Sequence, residues 1–278
     1  MDASDLPMGL RFGLDIDDYH AGPGISKSGL DDIERSPAIF YALHLDPARP
    51  APRERAGQLE GQLAHCAVLE PDEFGKRYRV LPVMHRGTKA WKDLAGAAEA
   101  DGLAPIQQDQ YDTAMRQAES VRRLPEVREA LERGHAEVSA YWSDPETGVL
   151  CRCRPDWVHP AGESGAIICD LKTCGDASPA EFARQAARKR YAVQDALYSD
   201  GYAAASGRET LAFIFVAVES EWPYAASAVM LDDESREVGR RAARRNLNTY
   251  ARCLAANEWP GYSDRIEIVN LPAWAMKE

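Results

Sequence analysis

The chain has 278 residues, 45% hydrophobic and 28% charged, with a formal net charge of -11. That length suits one large domain or one domain with appendages. No apolar run approaches the roughly 20 residues of a membrane helix, and the acidic start, Met1 to Leu14, is unlike a secretory signal, so a cytoplasmic protein with no membrane contact is expected.

The acidic balance argues against broad, non-specific nucleic-acid affinity. A site that binds cations is itself acidic, however, so a local nucleic-acid path stays open. The six cysteines show no CxxC or Cys/His zinc spacing and read as reduced, buried thiols. Only Cys253 lies beyond Cys174, which gives no closely spaced carboxyl-terminal set for an iron–sulfur cluster.

Residues 1–24 are polar and glycine-containing and read as a flexible arm ahead of a single domain over 25–278. Gly24 to Ile33 looks like a helix start, with Ser28 as cap and Asp31 as its capping-box partner. Ser36-Pro37 opens a second helical stretch, and the prolines between Asp46 and Pro52 mark a loop. Apolar positions Leu59, Leu63, Cys66, Ala67 and Leu69 recur at helical spacing over 53–69. Further helices are predicted near 88–100 and 107–133. The period then changes, and 136–143, 149–158 and 165–173 read as strands joined by turns at 144–148 and 161–164. A long helix over 179–205, strands over 211–219 and 225–231, and a basic helix over 232–257 follow. The tail, with Trp259, Tyr262 and Trp274, is expected to pack through its aromatics. This order of elements predicts an α/β fold, a central mixed β-sheet flanked by helices.

The chemistry concentrates in Arg154-Pro155-Asp156 and Cys169-Asp170-Leu171-Lys172. Side chains alternate along a strand, so Asp170 and Lys172 share a face while Leu171 points away. Asp156 is expected on the preceding strand of the same hairpin, close to its turn. Two carboxylates and an ammonium at one end of a sheet suit phosphodiester hydrolysis, in which carboxylates hold Mg²⁺ or Mn²⁺ and a lysine orients water and balances charge. An exposed hairpin with a surface salt bridge would carry the same letters, because D-x-K is a short pattern. Gln194 and Tyr198 share a helix face at i,i+4, near Tyr191 and Arg188. They suit a phosphate or base contact or an ordinary amphipathic helix. His65, among the small residues of Gly61 to Ala67, suits a metal ligand or a hydrogen-bonded core histidine.

Together these motifs resemble the PD-(D/E)XK nuclease domain of the exodeoxyribonuclease VIII (RecE-like) family of bacteria and prophages. The resemblance runs from about residue 24. It takes in Ile25-Ser26-Lys27-Ser28, Ser36-Pro37, Gly61 to His65, Tyr141-Trp142, Arg154 to Trp157, Asp170-Leu171-Lys172, Gln194 to Tyr198 and Leu271 to Trp274. It implies a restriction-endonuclease-like core with His65, Asp156, Asp170 and the Leu171 carbonyl as metal ligands and Lys172 as the catalytic lysine. Gln194, Tyr198 and Ser28, with Ser26 beside it, would position DNA, the serines at a helix amino terminus. Glu137 is a further acidic candidate outside that set.

The implied activity is a Mg²⁺-dependent exonuclease, with Mn²⁺ able to substitute, working 5′ to 3′ on double-stranded DNA ends. It would leave 3′ single strand for recombination with a single-strand annealing protein, from a ring-shaped homo-oligomer. The long amino-terminal extension of the best-known member has no counterpart here. Arg184, Arg188, Lys189 and Arg190, and Arg240, Arg241, Arg244 and Arg245, could track a DNA backbone or form solvated helix faces. Two alternatives stand beside this reading: a nuclease for single strands or flaps, and a catalytically silent module that binds DNA ends or a partner.

Overall fold

In the computed structural model, which describes residues 8–51 and 56–276, a five-stranded, a three-stranded and a two-stranded sheet share the described residues, and the crossovers between the first two carry Glu137 and Asp156. The amino-terminal half supplies β1 (Gly9–Arg11), α1 (Ile16–Ala21), α2 (Lys27–Arg35), α3 (Pro37–Phe40) and α4 (Gln58–Leu69). After α5 (Phe74–Arg77) comes a small unit of β2 (Tyr78–Leu81), α6 (Lys89–Ala100) and β3 (Ala104–Gln107), then α7 (Gln108–Arg122) and α8 (Pro125–Leu131). The strands β4 (His135–Ala136), β5 (Ser139–Ser143), β6 (Leu150–Cys153), β7 (Trp157–Ala161) and β8 (Gly165–Cys174) follow. The chain continues with α9 (Pro179–Lys189), α10 (Tyr191–Ser206), β9 (Glu209–Glu219), β10 (Ala226–Val229) and α11 (Asp233–Ala256).

The larger sheet has the order β10-β9-β8-β7-β4 and the smaller β1-β5-β6. β8 runs parallel to β9 and antiparallel to β7, so the sheet is mixed as expected. One face of it packs Cys169, Leu171, Val216 and Val218 against Leu63, Ala67, Ala118 and Val121 of α4 and α7. The other packs Ile168, Phe213, Phe215 and Ala217 against Phe182, Ala186 and Tyr202 of α9 and α10. α10 is apolar on several sides because it also meets the smaller sheet, where Val193 and Leu197 join Ala140, Trp142, Cys151 and Cys153. Glycine permits that double approach. A Cβ at Gly201 would stand 2.2 Å from the Trp142 ring, and one at Gly239 of α11 would stand 2.0 Å from the Ala192 carbonyl.

Several expectations need correction. The stretch 149–158 is two strands, not one. Pro155 lacks an N–H and cannot continue a ladder, so β6 ends in the smaller sheet and β7 begins in the larger. The stretch 136–143 divides in the same way at Glu137, whose φ is 54°. Arg190, with φ 55°, breaks the helix predicted over 179–205, and Pro125 breaks that over 107–133. Residues 9–24, read as a loose arm, are built into the fold: β1 pairs with β5 and Tyr19 is buried. α2 is capped at Ser26 rather than Ser28, with Lys27 as its first residue. The predicted helix over 53–69 begins at Gln58, and residues 52–55 lie outside the described residues. In the tail Trp259 stacks on Phe40, but Tyr262 and Trp274 are each 79% exposed.

Candidate metal centre

Asp170 and Lys172 project from β8 toward α10, as strand alternation requires. The Lys172 ammonium pairs with Asp170. It also lies 4.9 Å from the centroid of the Tyr191 ring. Gln194, one turn along α10 from Tyr191, donates its side-chain amide to Asp170. Burial alone would pull the Lys172 ammonium down, but the charges of Asp170 and Asp156 outweigh it and hold the group above its ordinary value. This lysine keeps its proton.

Asp156 stands just ahead of β7. Trp157 pairs with Cys169, so one step back along the antiparallel register brings Asp156 opposite Asp170, at the end of the hairpin away from its turn. The expected position close to the turn is thus reversed, because Pro155 starts β7 later than the sequence pattern suggests. An Asp156 oxygen accepts the Leu171 N–H at 2.8 Å, which fixes the carboxylate across the strand.

His65 reaches the same place from α4. Its Nε2 donates to the Leu171 carbonyl at 3.1 Å, since a carbonyl only accepts. Burial pulls its pKa below the ordinary value, so the ring is neutral and Nδ1 presents a lone pair. That lone pair lies 3.6 Å from Asp156 Oδ2. Two acceptors face each other, an arrangement that a cation or proton between them would relieve.

Glu137 completes the cluster. Ligand atoms of His65, Glu137 and Asp156 all lie within 4.8 Å of one another. The left-handed backbone at Glu137, unusual for a residue with a Cβ, is held by its N–H to the Asp156 carbonyl at 2.9 Å. Arg154 steadies the side chain at 2.7 Å. Burial, and then the neighbouring Asp156 charge, push the Glu137 carboxyl up to about 6. Burial, and then Asp170, push Asp156 up to about 8. Crowded oxygen donors with one imidazole suit a hard divalent cation. His65, Glu137 and Asp156 would hold it, with Asp170 adjoining.

The structure therefore gathers Asp156, Asp170, Lys172, His65, Leu171 and Gln194 in one place. Tyr198 lies a turn beyond Gln194 with its ring against Phe213, and the Asp156 and Asp170 charges are among the causes that raise its hydroxyl pKa, after burial. Ser28 is exposed in the first turn of α2, 3.0 Å from the Ser26 hydroxyl. Between them Lys27 extends to Lys189 and to the Tyr191 ring, which puts the start of α2 beside the centre. Arg188 is not drawn in: it is 65% exposed and paired with Glu181 on the outside of α9. Glu137 was named from the sequence only as a further acidic candidate, and Lys27 only as part of the Ile25 to Ser28 motif, with no role at the site. An acidic residue in the predicted strand ahead of the Arg154 to Asp156 stretch was the available signal for Glu137, and the Ile25 to Ser28 motif was the signal for Lys27.

Among solved structures, the chain is similar to a candidate exonuclease from Eubacterium rectale. The identity is 12% over 96% of this chain and 99% of that one, with a TM-score of 0.61. That likeness shows the fold. An alkaline exonuclease from Laribacter hongkongensis aligns with a TM-score of 0.25 and 15% identity, over 67% of this chain and 97% of that one. No curated protein matches the sequence. The profile described as a PDDEXK-like domain of unknown function, DUF3799, matches residues 26–272. With the mixed sheet, the flanking helices and the Asp156, Asp170 and Lys172 constellation in place, this chain belongs to the PDDEXK-like DUF3799 family.

Proposed function

We propose that this protein is a metal-dependent DNA exonuclease acting 5′ to 3′ on duplex ends and leaving 3′ single strand for recombination by single-strand annealing. The observation that carries the nuclease reading is the meeting of Asp156, Asp170, His65 and Glu137 beside a protonated lysine. Mg²⁺ is the expected ion and Mn²⁺ a substitute, since an imidazole in the donor set tolerates the softer metal. Held by His65, Glu137 and Asp156, such an ion would supply Lewis acidity toward the scissile phosphate and the attacking water.

The chain's own residues supply the rest. Lys172, kept protonated by Asp170 and Asp156, donates to a phosphoryl oxygen and offsets charge that grows in the transition state. Gln194 fixes Asp170 through its amide. The Leu171 amide fixes Asp156, and the Leu171 carbonyl orients His65. Tyr198, Ser26 and Ser28 flank the centre, where they would contact the strand. Among the described residues no helix is long and apolar enough to cross a membrane. A homo-oligomer, ring-shaped in this proposal, is supported by the exposed apolar tail: Ile266, Ile268, Val269 and Leu271 are 97, 95, 81 and 64% exposed, which favours a covering surface.

The deciding assay uses linear duplex DNA labelled separately at its 5′ and 3′ ends, with Mg²⁺ or with EDTA. Early metal-dependent release of the 5′ label as mononucleotide is expected. Lys172→Ala should lower the rate at least ~100-fold. No degradation by the wild-type protein with any divalent ion would end the exonuclease proposal. It would leave a silent end-binding module or a single-strand or flap nuclease to be tested on those substrates.

A further inference from the structure

Most arginines near the centre and along the last helix are already spent on carboxylates. Arg184 and Arg188 pair with Glu181, Arg240 with Asp200, Arg241 with Glu237, Arg244 with Asp144, and Arg245 with Glu34. The segment between β2 and the second turn of α6 differs. It carries Arg86, Lys89 and Lys92, all exposed, and its only acidic side chain from 82 to 98 is Asp93. Among the described residues Lys89 and Lys92 form no ion pair.

The placement of the lysines runs against local electrostatics. Unpaired backbone N–H groups make the start of a helix positive, so acidic residues are favoured there. α6 has none in its first turn and opens with Lys89 instead, after the Thr88 cap. Lys92 follows one turn later on the same face. Two like charges beside a positive helix end repel each other, a cost that a bound anion offsets, and Asp93 is the one acid of the segment beside them.

The segment is also tied to the metal centre. Arg86 lies over the Trp91 ring, 5.4 Å from its centroid. Its guanidinium donates to Gln110 at 3.0 Å, and Gln110 donates to Glu60 at 3.1 Å. Glu60 is on α4, the helix that carries His65, and the neighbouring Gly61 approaches Thr173, next to Lys172. Stacking and hydrogen bonding preorganise the arginine, and the lysines remain free to follow a flexible chain of charge.

We propose that Arg86, Lys89 and Lys92 form a clamp for the phosphate backbone of DNA entering the metal centre, binding charge without reading sequence. A strand offers one phosphate per ~3.4 Å of duplex axis, and Lys89 and Lys92 are about 4.5 Å apart along α6, so their side chains meet neighbouring phosphates. This role rests on the nuclease reading and gives the otherwise unassigned unit of β2, α6 and β3 a purpose.

The test is fluorescence anisotropy of a labelled linear duplex titrated with protein in Ca²⁺ or EDTA, over a series of NaCl concentrations. Each lost phosphate contact should make the slope of log K against log salt shallower by about 0.9, so Arg86→Ala/Lys89→Ala/Lys92→Ala should lose up to ~2.7. The pair Lys89→Ala/Lys92→Ala, which leaves the Arg86 hydrogen bond intact, should lose up to ~1.8. Lys89→Arg/Lys92→Arg should keep the wild-type slope. An unchanged slope in both alanine variants, from a protein that binds and cuts DNA, would overturn the clamp alone. A wild-type protein that neither binds nor cuts DNA would overturn the nuclease reading and the clamp with it.

Discussion

Asp156 shows how a functional residue is held at a cost to the fold. Burial and the nearby Asp170 push its carboxyl up to about 8, so the folded chain binds that proton more tightly than the unfolded chain does. Stability from this group is then fullest below the ordinary carboxylate range and declines as pH rises toward 8. Asp156→Asn keeps an oxygen for the Leu171 N–H and removes the charge. The metal-free variant is expected to melt roughly 2–4 °C above wild type near pH 8, with no gain near pH 4. At the same time it should lose most of the stabilisation that Mg²⁺ gives wild type, about 2.7 kcal/mol at 100 times the dissociation constant. Scanning calorimetry with and without Mg²⁺ at the two pH values checks both effects. Glu137→Gln should also weaken the Mg²⁺ response, and a full response in that variant would remove Glu137 from the ligand set. The letters of Asp156, Asp170 and Lys172 were legible because alternation along a strand is local. Glu137 was legible only as a further acidic candidate, because its place beside Asp156 depends on a left-handed backbone at a sheet crossover.

Among the elements, the last helix and the strand pair before it agree with expectation. α11 runs from Asp233 to Ala256 behind its Asp232 cap, and β9 and β10 pair antiparallel. The unit of β2 and β3 escaped notice: each strand has four residues, too few to set up an alternation. The break at Arg190 was equally silent, since it is held by ion pairs to Asp31 and Glu34 of α2. A similar long-range tie joins the turn after β5 to α11. Asp144, 3% exposed, accepts two bonds from Arg244 at 2.8 and 2.9 Å and two from Thr147. Burial works against its ionisation, but the Arg244 and Thr147 hydrogen bonds prevail and hold the carboxyl below its usual range. Its contribution is present above the unfolded carboxylate pKa and lost as pH falls through the folded one. Asp144→Ala should cost about 2–4 kcal/mol at neutral pH, with the difference from wild type shrinking in strong acid. Urea melts at neutral pH and near pH 2 read this directly, and an equal loss at both would refute the electrostatic account.

Across the whole molecule, the exposed tail and the acidic charge act on association. Ile266, Ile268, Val269, Leu271 and Trp274 present apolar surface that their own chain leaves uncovered. A variant ending at Gly261 retains Trp259 against Phe40 and is expected to sediment as a smaller species than the full chain at the same concentration. Identical sedimentation would mean that the tail does not hold subunits together. By itself the sequence determined the class of fold, the long last helix, and the acidic and lysine letters of the centre, because each follows from side-chain periodicity over a few residues. Only the tertiary structure decided that Asp156 sits opposite Asp170, that His65 turns a lone pair on it, and that Glu137 joins them. Those relations depend on where two strands leave one sheet for another, and on a helix some hundred residues earlier in the chain. Packing sets such distances, and no local pattern encodes them.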